Sequence, residues 1–232
     1  MSQHPEGGLP RFSTSPLSEL RQDYELKGLR RSELEADPIE QFCKWFSDMR
    51  AKIGPSVEGL RDINAMTLAT VGGDGRPSAR IVLLKGVDER GFIFFTNYSS
   101  RKGKELGQNP AAALVFYWPE LERQVCVSGT VTKISDAESE LYFNSRPRGS
   151  RLAAWASRQS EAVADRATLE TEWKRLEEKY PGESVPKPPH WGGFVVSPDR
   201  IEFWQGRPSR LHDRFVYEKA ANGGWKIERL GP

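Results

Sequence analysis

The stretch NAMTLATVGGDGRPSARIVLLKGVDERGFIFFTN, Asn64 to Asn97, decides the fold. Three runs rich in β-branched and aromatic residues, "NAMTLATV", "SARIVLLK" and "GFIFFTN", are separated by "GGDGRP" and "GVDERG". Short apolar runs bounded by Gly, Pro and Asp read as strands joined by tight turns, a meander of hairpins. "AAALVFYW" and "RQVCVSGTVTKI" add two strands downstream. "HWGGFVVSP", "RIEFWQG", "RFVYEK" and "GWKIERL" close the chain, the last two joined by the turn "AANGG".

Helical patterns flank and interrupt these strands. "SPLSELRQDYELKGL" has Pro16 in a first turn and Gly28 as a stop. "DPIEQFCKWFSDMRAKIG" has Asp37 as N-cap, Pro38 at the first position, and Ile39, Phe42, Cys43 and Phe46 as an apolar stripe. "SSRKGKELGQNP", "SDAESELYFNSRP", "SRLAAWASRQS" and "SEAVADRATLETEWKRLEEKYPG" also read as helices, with Ser135 or Asp136 opening the second. Strands do not alternate with helices as in βαβ units. The expected class is α+β, an antiparallel sheet or barrel with peripheral helices.

The totals narrow the function. The chain has 232 residues and a formal net charge of +2, so anion binding must come from local arrangement. That balance argues against a nucleic-acid module. Cys43 and Cys126 have no metal or redox spacing and are expected to be buried small hydrophobes. No apolar run approaches the ~20 residues that span a bilayer, and the N-terminus lacks a secretory pattern, so the expected compartment is the cytoplasm. Residues 1–14 are rich in Pro, Gly and Ser and are expected to be flexible. No dinucleotide fingerprint, P-loop, zinc-protease motif or nucleophile elbow is present, and three histidines make a metal site unexpected.

What remains is cationic and aromatic. In "SARIVLLK" alternation places Arg80, Val82 and Leu84 on one face and Ile81, Leu83 and Lys85 on the other. In "TNYSSRKGKEL", Arg101 and Lys102 fall in the first turn of a helix after Thr96, Ser99 and Ser100. Cations there oppose the macrodipole but suit a phosphate. In "LYFNSRPRGSRLAAW", Tyr142 and Arg146 share a helix face, Pro147 ends the element, and Ser150 reads as the next N-cap. "SRLHDRF", if extended, aligns Arg210, His212 and Arg214 along roughly 14 Å of strand, with Trp204 upstream. For each cluster alone, solvated strand-end or helix-corner charges are an equally simple reading. Together they suggest two phosphate pockets and a cationic, aromatic-lined strand, fit for two flat phosphorylated molecules.

The motifs "RIVLLK", "TNYSSRKGKEL", "LERQVCVSG", "YFNSRPRGS", "WASRQS", "WGGF", "IEFWQG" and "RLHDRF" in this order resemble the pyridoxamine 5'-phosphate oxidase family. The resemblance runs from about Leu20 to Pro232, with 1–19 as a flexible segment and 20–232 as one domain. It implies an FMN-binding split β-barrel in a homodimer, with FMN at the subunit interface. It implies oxidation of pyridoxamine or pyridoxine 5'-phosphate at C4' to pyridoxal 5'-phosphate, with O2 reduced to H2O2.

Carried over by motif, Arg80, Ile81, Val82, Leu83, Leu84, Lys85, Phe95, Thr96, Arg101, Lys102, Gln124, Gln159, Ser160, Trp204 and Arg214 would touch FMN. Lys85, Tyr142, Arg146 and Ser150 would hold the substrate phosphate, and Arg210 and His212 would meet its ring as the catalytic pair. Arg21 to Tyr24 would fold over the pocket as a lid. Ile81 and Phe95 depart from the family's usual methionine and tyrosine. Another FMN split-barrel oxidoreductase, such as a flavin reductase, would share the cofactor set but lack "YFNSRPRGS" and "RLHDR". A non-catalytic pyridoxal-phosphate binder would not need the FMN set.

Overall fold

A computed structural model describes residues 24–54 and 63–232. Nine strands form one antiparallel sheet: β1 (Ala65–Val71), β2 (Pro77–Leu83), β3 (Gly86–Asp88), β4 (Gly91–Asn97), β5 (Ala111–Trp118), β6 (Arg123–Lys133), β7 (Trp191–Gln205), β8 (Asp213–Lys219) and β9 (Trp225–Leu230). The order is β2-β1-β5-β6-β7-β4-β3, with β8 on β7 and β9 on β8. The stretch from Asn64 to Asn97 supplies the first four strands: the three expected, and β3, which forms at Gly86–Asp88 within the segment read as a turn.

The split lies along β7. One side of β7 pairs with β6 over nearly its whole length. On the other side its first half pairs with β4, Trp191 opposite Asn97 to Val196 opposite Phe92. Its second half pairs with β8, Arg200 opposite Glu218 to Gln205 opposite Asp213. A register shift between Ser128 and Gly129, where β6 meets Pro198 and Arg200, marks the fork. A bulge bends a strand and increases its twist. The curled sheet is a split β-barrel of the α+β class.

Among the described residues five α-helices surround it: α1 (Pro38–Ile53), α2 (Arg101–Gln108), α3 (Asp136–Ser145), α4 (Arg148–Ala156) and α5 (Arg166–Lys179). Asp37 caps α1, its carboxylate accepting from Ile39 N at 2.7 Å. Ser135 caps α3 in a reciprocal box with Glu138. Helix α1 plugs the barrel. Its Phe42 ring lies 4.9 Å from both Phe92 and Phe116, and its Trp45 lies 5.1 Å from Phe203. The buried stripe is Phe42, Trp45 and Met49, a face rotated from the expected one. Cys43 therefore points outward and is exposed, and Cys126 is only half-buried, so neither is the buried hydrophobe expected. Leu152, Leu176 and Val185 form a second small core between α4 and α5.

Several local expectations fail. Tyr24 to Arg30 is not helical. Its amides bond to the barrel instead: Glu25 N and Leu26 N donate to the Glu122 carboxylate at 3.2 and 3.1 Å, and Leu29 N donates to Asp213 at 3.0 Å. Gly28 does not end a helix; a Cβ there would sit 2.7 Å from the Asp213 carboxylate, so the position needs glycine for close approach. The expected helix start at Ser15 and the flexible segment 1–19 lie outside the described residues.

Helix α4 begins at Arg148 with Pro147 as N-cap, so Ser150 is inside the first turn. The chain leaves helix at Ser157, Ser160 adopts φ 74°, and α5 starts only after Asp165, which caps it through Thr168 N. Finally, "SRLHDRF" is not extended throughout. Pro208–Arg210 is a single 3-10 turn, Ser209 and Arg210 have φ of 56° and 60°, and β8 begins at Asp213.

Candidate active site

A cavity of about 690 Å3 opens between β2, β4, α2, α3 and α4. That size suits a small organic ligand. Its lining gathers Arg80, Ile81, Val82, Leu83, Lys85, Phe95, Thr96, Lys102, Tyr142, Arg146, Ser150 and Gln159, twelve of the residues singled out in the sequence. Leu84 is outside the lining and belongs to the main core, 7% exposed. Asn97, Pro147, Ala153, Ala154, Ser157 and Trp191 complete the wall.

Three cations in this cavity lack a carboxylate partner among the described residues; Lys85 is exposed, whereas Lys102 and Arg146 are half-buried. Lys102 Nζ meets only neutral oxygens: Gln159 Oε1 at 2.7 Å, Thr96 Oγ1 at 3.1 Å and Ser100 Oγ at 3.4 Å. Burial and then the charge of Arg80 pull its pKa below the usual lysine value, against the pull of Glu105. Arg146 leaves the end of α3 in extended conformation, as Pro147 requires. Its guanidinium lies 4.7 Å over the Trp191 ring, and its buried Nη1 has no hydrogen-bond partner. Burial lowers its pKa, partly opposed by Tyr142. Buried charge without a counter-ion is unfavourable, and an unpaired buried donor costs about 1–3 kcal/mol. A ligand anion would relieve both.

An aromatic wall stands beside Arg146. Phe95 stacks on Tyr142 at 4.0 Å and 22°, and on Trp191 at 5.4 Å and 13°. Sequence reasoning quoted "WGGF" without giving Trp191 a role; the signal available was a tryptophan next to two glycines. Gly192 must be glycine because a Cβ would collide with the Tyr98 hydroxyl, and that hydroxyl donates to Gly193 O at 3.0 Å.

Arg101, at the start of α2, lies outside the lining and is paired with Glu105 at 2.8 Å. A second group stands away from this cavity's lining. Gln124, Trp204 and Arg214 stand in register across β6, β7 and β8, so they share one sheet face. The Trp204 ring lies 4.6 Å from His212, and Tyr24 meets them edge-on at 5.4 and 5.5 Å. Arg214 donates to Glu202 at 2.8 Å. His212 Nδ1 accepts from Arg207 N at 3.1 Å, which leaves the ring proton on Nε2. Burial, then the charge of Arg210, lowers the His212 pKa and favours this neutral form. Because of the 3-10 turn, Arg210 does not share a strand face with His212 and Arg214. Ser160 lies beside Gln159 but is exposed and outside the lining. Arg21 lies outside the described residues, so only Tyr24 of the expected lid is seen.

The sheet face between the groups is apolar and open at the cavity rim. The register runs Ile81, Thr67, Val115, Cys126, Glu202 across five strands. Ile81 is 64% exposed, Leu83 40% and Tyr117 53%.

Residues 56–180 match the family described as pyridoxamine 5'-phosphate oxidase, and residues 191–232 match the pyridoxine 5'-phosphate oxidase C-terminal dimerisation region. The chain belongs to the pyridoxamine 5'-phosphate oxidase family. Among its relatives are two proteins named pyridoxine/pyridoxamine 5'-phosphate oxidase. That of Nostoc punctiforme is 55% identical over 216 residues, 93% of this chain and 98% of the relative. That of Burkholderia multivorans is 57% identical over 218 residues, 93% and 99% of the two chains. The solved structure of PhzG from Burkholderia lata 383, in complex with tetrahydrophenazine-1-carboxylic acid, superposes with TM-score 0.81 at 30% identity, covering 91% of this chain and 100% of that one. Membership of the pyridoxamine 5'-phosphate oxidase family makes the chain an oxidoreductase. Among the described residues no helix is long and apolar enough to cross a membrane.

Proposed function

We propose that the chain is a cytoplasmic, homodimeric FMN enzyme that oxidises pyridoxamine or pyridoxine 5'-phosphate to pyridoxal 5'-phosphate, with O2 as acceptor. The observation that carries this reading is the pair Lys102 and Arg146: two half-buried cations, on different elements of one cavity, each without a carboxylate among the described residues. Two phosphate receivers in one aromatic-walled cavity fit a flavin phosphate and a phosphorylated pyridine together.

The donor set fits FMN. Lys102 and Arg101 at the start of α2, with Arg80, would hold its phosphate. Thr96, Gln159 and the β2 backbone from Arg80 to Lys85 would meet the rest. Arg146, Lys85, Tyr142 and Ser150 would hold the vitamer phosphate. The chemistry FMN supplies when bound is two-electron acceptance, hydride passing from C4' to flavin N5 and the electrons then to O2 as H2O2.

The second group has the complementary equipment. His212 offers a neutral Nε2–H and Arg210 a charge for the polar edge of the vitamer ring, with Trp204, Gln124 and Arg214 for the flavin. Neither half is a whole site in one chain. The open apolar face at Ile81, Leu83 and Tyr117, together with the dimerisation region at 191–232, supports a second copy as the cover. Its Arg210 and His212 would then close the cavity of the first.

The test is the visible spectrum of the FMN-loaded protein mixed without air with pyridoxine 5'-phosphate. Bleaching of the flavin band that air restores is the expected result. A band that neither vitamer phosphate bleaches overturns the oxidase reading while leaving the fold and cofactor intact.

A further inference from the structure

A buried carboxylate stands inside a site that is otherwise built for anions. Glu105 is on α2, one turn after Arg101, and its side chain is 9% exposed. Oε2 accepts from Thr70 Oγ1 and Ser78 Oγ, both at 2.6 Å, and from Arg80 Nη2 at 3.1 Å. Oε1 accepts from Arg101 Nε at 2.8 Å. Burial alone would raise its pKa, but hydrogen bonds from Ser78, Thr70, Arg101 and Arg80 hold it down at about 2. It is therefore ionised wherever the protein works.

A negative charge beside a phosphate site weakens phosphate binding by repulsion unless it does something that offsets this. Arg80 and Arg101 show what. The Arg80 guanidinium is tied on both Nη atoms, to Leu68 O at 3.2 Å, Thr70 Oγ1 at 2.6 Å, Ser78 Oγ and Glu105. The Arg101 side chain is 64% exposed, and Glu105 is its one side-chain partner among the described residues. Without that anchor an exposed arginine keeps its rotamer freedom and must lose it on binding. Arg80, Arg101 and Lys102 would also repel one another.

We propose that Glu105 is a positioning residue of the cofactor site, fixing Arg80 and Arg101 in the orientation that receives the FMN phosphate. The proposal rests on the FMN reading above. Thr70 and Ser78, one from each of two paired strands, lock the carboxylate from behind, so strand β1, strand β2 and helix α2 are tied to one point.

The experiment is a pair of fluorescence titrations of the flavin-free protein, one with FMN and one with riboflavin, which lacks the phosphate. Glu105→Gln keeps the shape and removes the charge. The expected result is FMN affinity down by about tenfold with riboflavin affinity within about twofold of wild type. Equal losses for both flavins would reduce Glu105 to a packing residue and overturn the proposal. Unchanged or tighter FMN binding would also overturn it, because repulsion would then be its main effect. Thr70→Val removes a hydrogen bond from Arg80 as well as one from the carboxylate and should give a loss of the same FMN-only kind. Glu105→Asp, which keeps the charge but shortens its reach to Arg80 and Arg101, decides the matter by the same two titrations if Glu105→Gln does not fold. If the wild-type protein itself shows no preference for FMN over riboflavin, the cofactor reading fails first and takes the proposal with it.

Discussion

The Lys102–Arg146 cavity and the Trp204–His212 cluster are built by opposite means. The cavity sits on regular elements: β2 and β4 give its floor with Arg80 and Phe95, α2 and the end of α3 give Lys102 and Arg146, and α4 and the start of β7 complete the wall. Lys102 and Arg146 await a ligand there, while Arg80 is already paired with Glu105. The cluster is assembled from a left-handed turn, a strand face and an N-terminal segment held by Glu122 and Asp213. Its charged groups are largely paired within the chain, Arg214 with Glu202 and Asp213 with Arg229 and Arg207. The difference teaches a division of labour. On the proposed function, the cavity half would provide binding, and the cluster half a preset wall that would act when brought against a partner's cavity.

That division predicts different kinetic signatures. The largest effect belongs to the cluster. Arg210→Ala should lower kcat on the order of a hundredfold, as misplacement of a reacting group does, while FMN affinity stays near wild type. Steady-state rates and a flavin titration check both parts, and normal turnover would remove Arg210 from the site. Next comes the cavity. Arg146→Ala should raise KM for the vitamer phosphate by about tenfold to a hundredfold with a smaller change in kcat, because the phosphate is held alike in ground and transition states. A large loss of kcat at unchanged KM would erase the contrast between the halves.

The smallest effect is in pH. The His212 pKa is lowered by burial and by Arg210, so the ring is neutral at pH 7 and gains its proton only below the ordinary histidine value of 6.5. Its Nε2–H is present in both forms, but protonation adds a second cation beside Arg210 and breaks the bond from Arg207 N. Turnover should therefore be level above neutrality and decline a few-fold below it, and His212→Asn should flatten that acid limb. An unchanged acid limb in the variant would assign it elsewhere.

The cavity half was legible in the sequence for the same reason that it is regular. Strand alternation placed Arg80 and Val82 together, Pro147 fixed the exit of Arg146, and the serines before α2 placed Arg101 and Lys102 in its first turn. The cluster half was not. Strand periodicity carried through Ser209 and Arg210, yet both adopt positive φ, a choice that nothing in their side chains announces. Two such residues in a row are strained by about 1–3 kcal/mol each, which turns persist with only where the surroundings or the function require it. The Tyr24–Arg30 segment read as helix because the carboxylates that take its amides, Glu122 and Asp213, are remote in sequence. Glu105 was missed because an acid four residues after an arginine reads as an ordinary helix pair. Its burial depends on Thr70 and Ser78 from β1 and β2.

The most direct test of the two-half account mixes two impaired variants and assays them at vitamer phosphate far below the KM of Arg146→Ala, where each alone is slow. Arg146→Ala damages the cavity and Arg210→Ala damages the wall. If each site takes its cavity from one protomer and its wall from the other, unfolding and refolding the two variants together should restore about a quarter of wild-type activity, since half the dimers are mixed and each keeps one intact site. Activity that stays at the level of the separate variants would contradict it, and would place both halves of each site within a single chain.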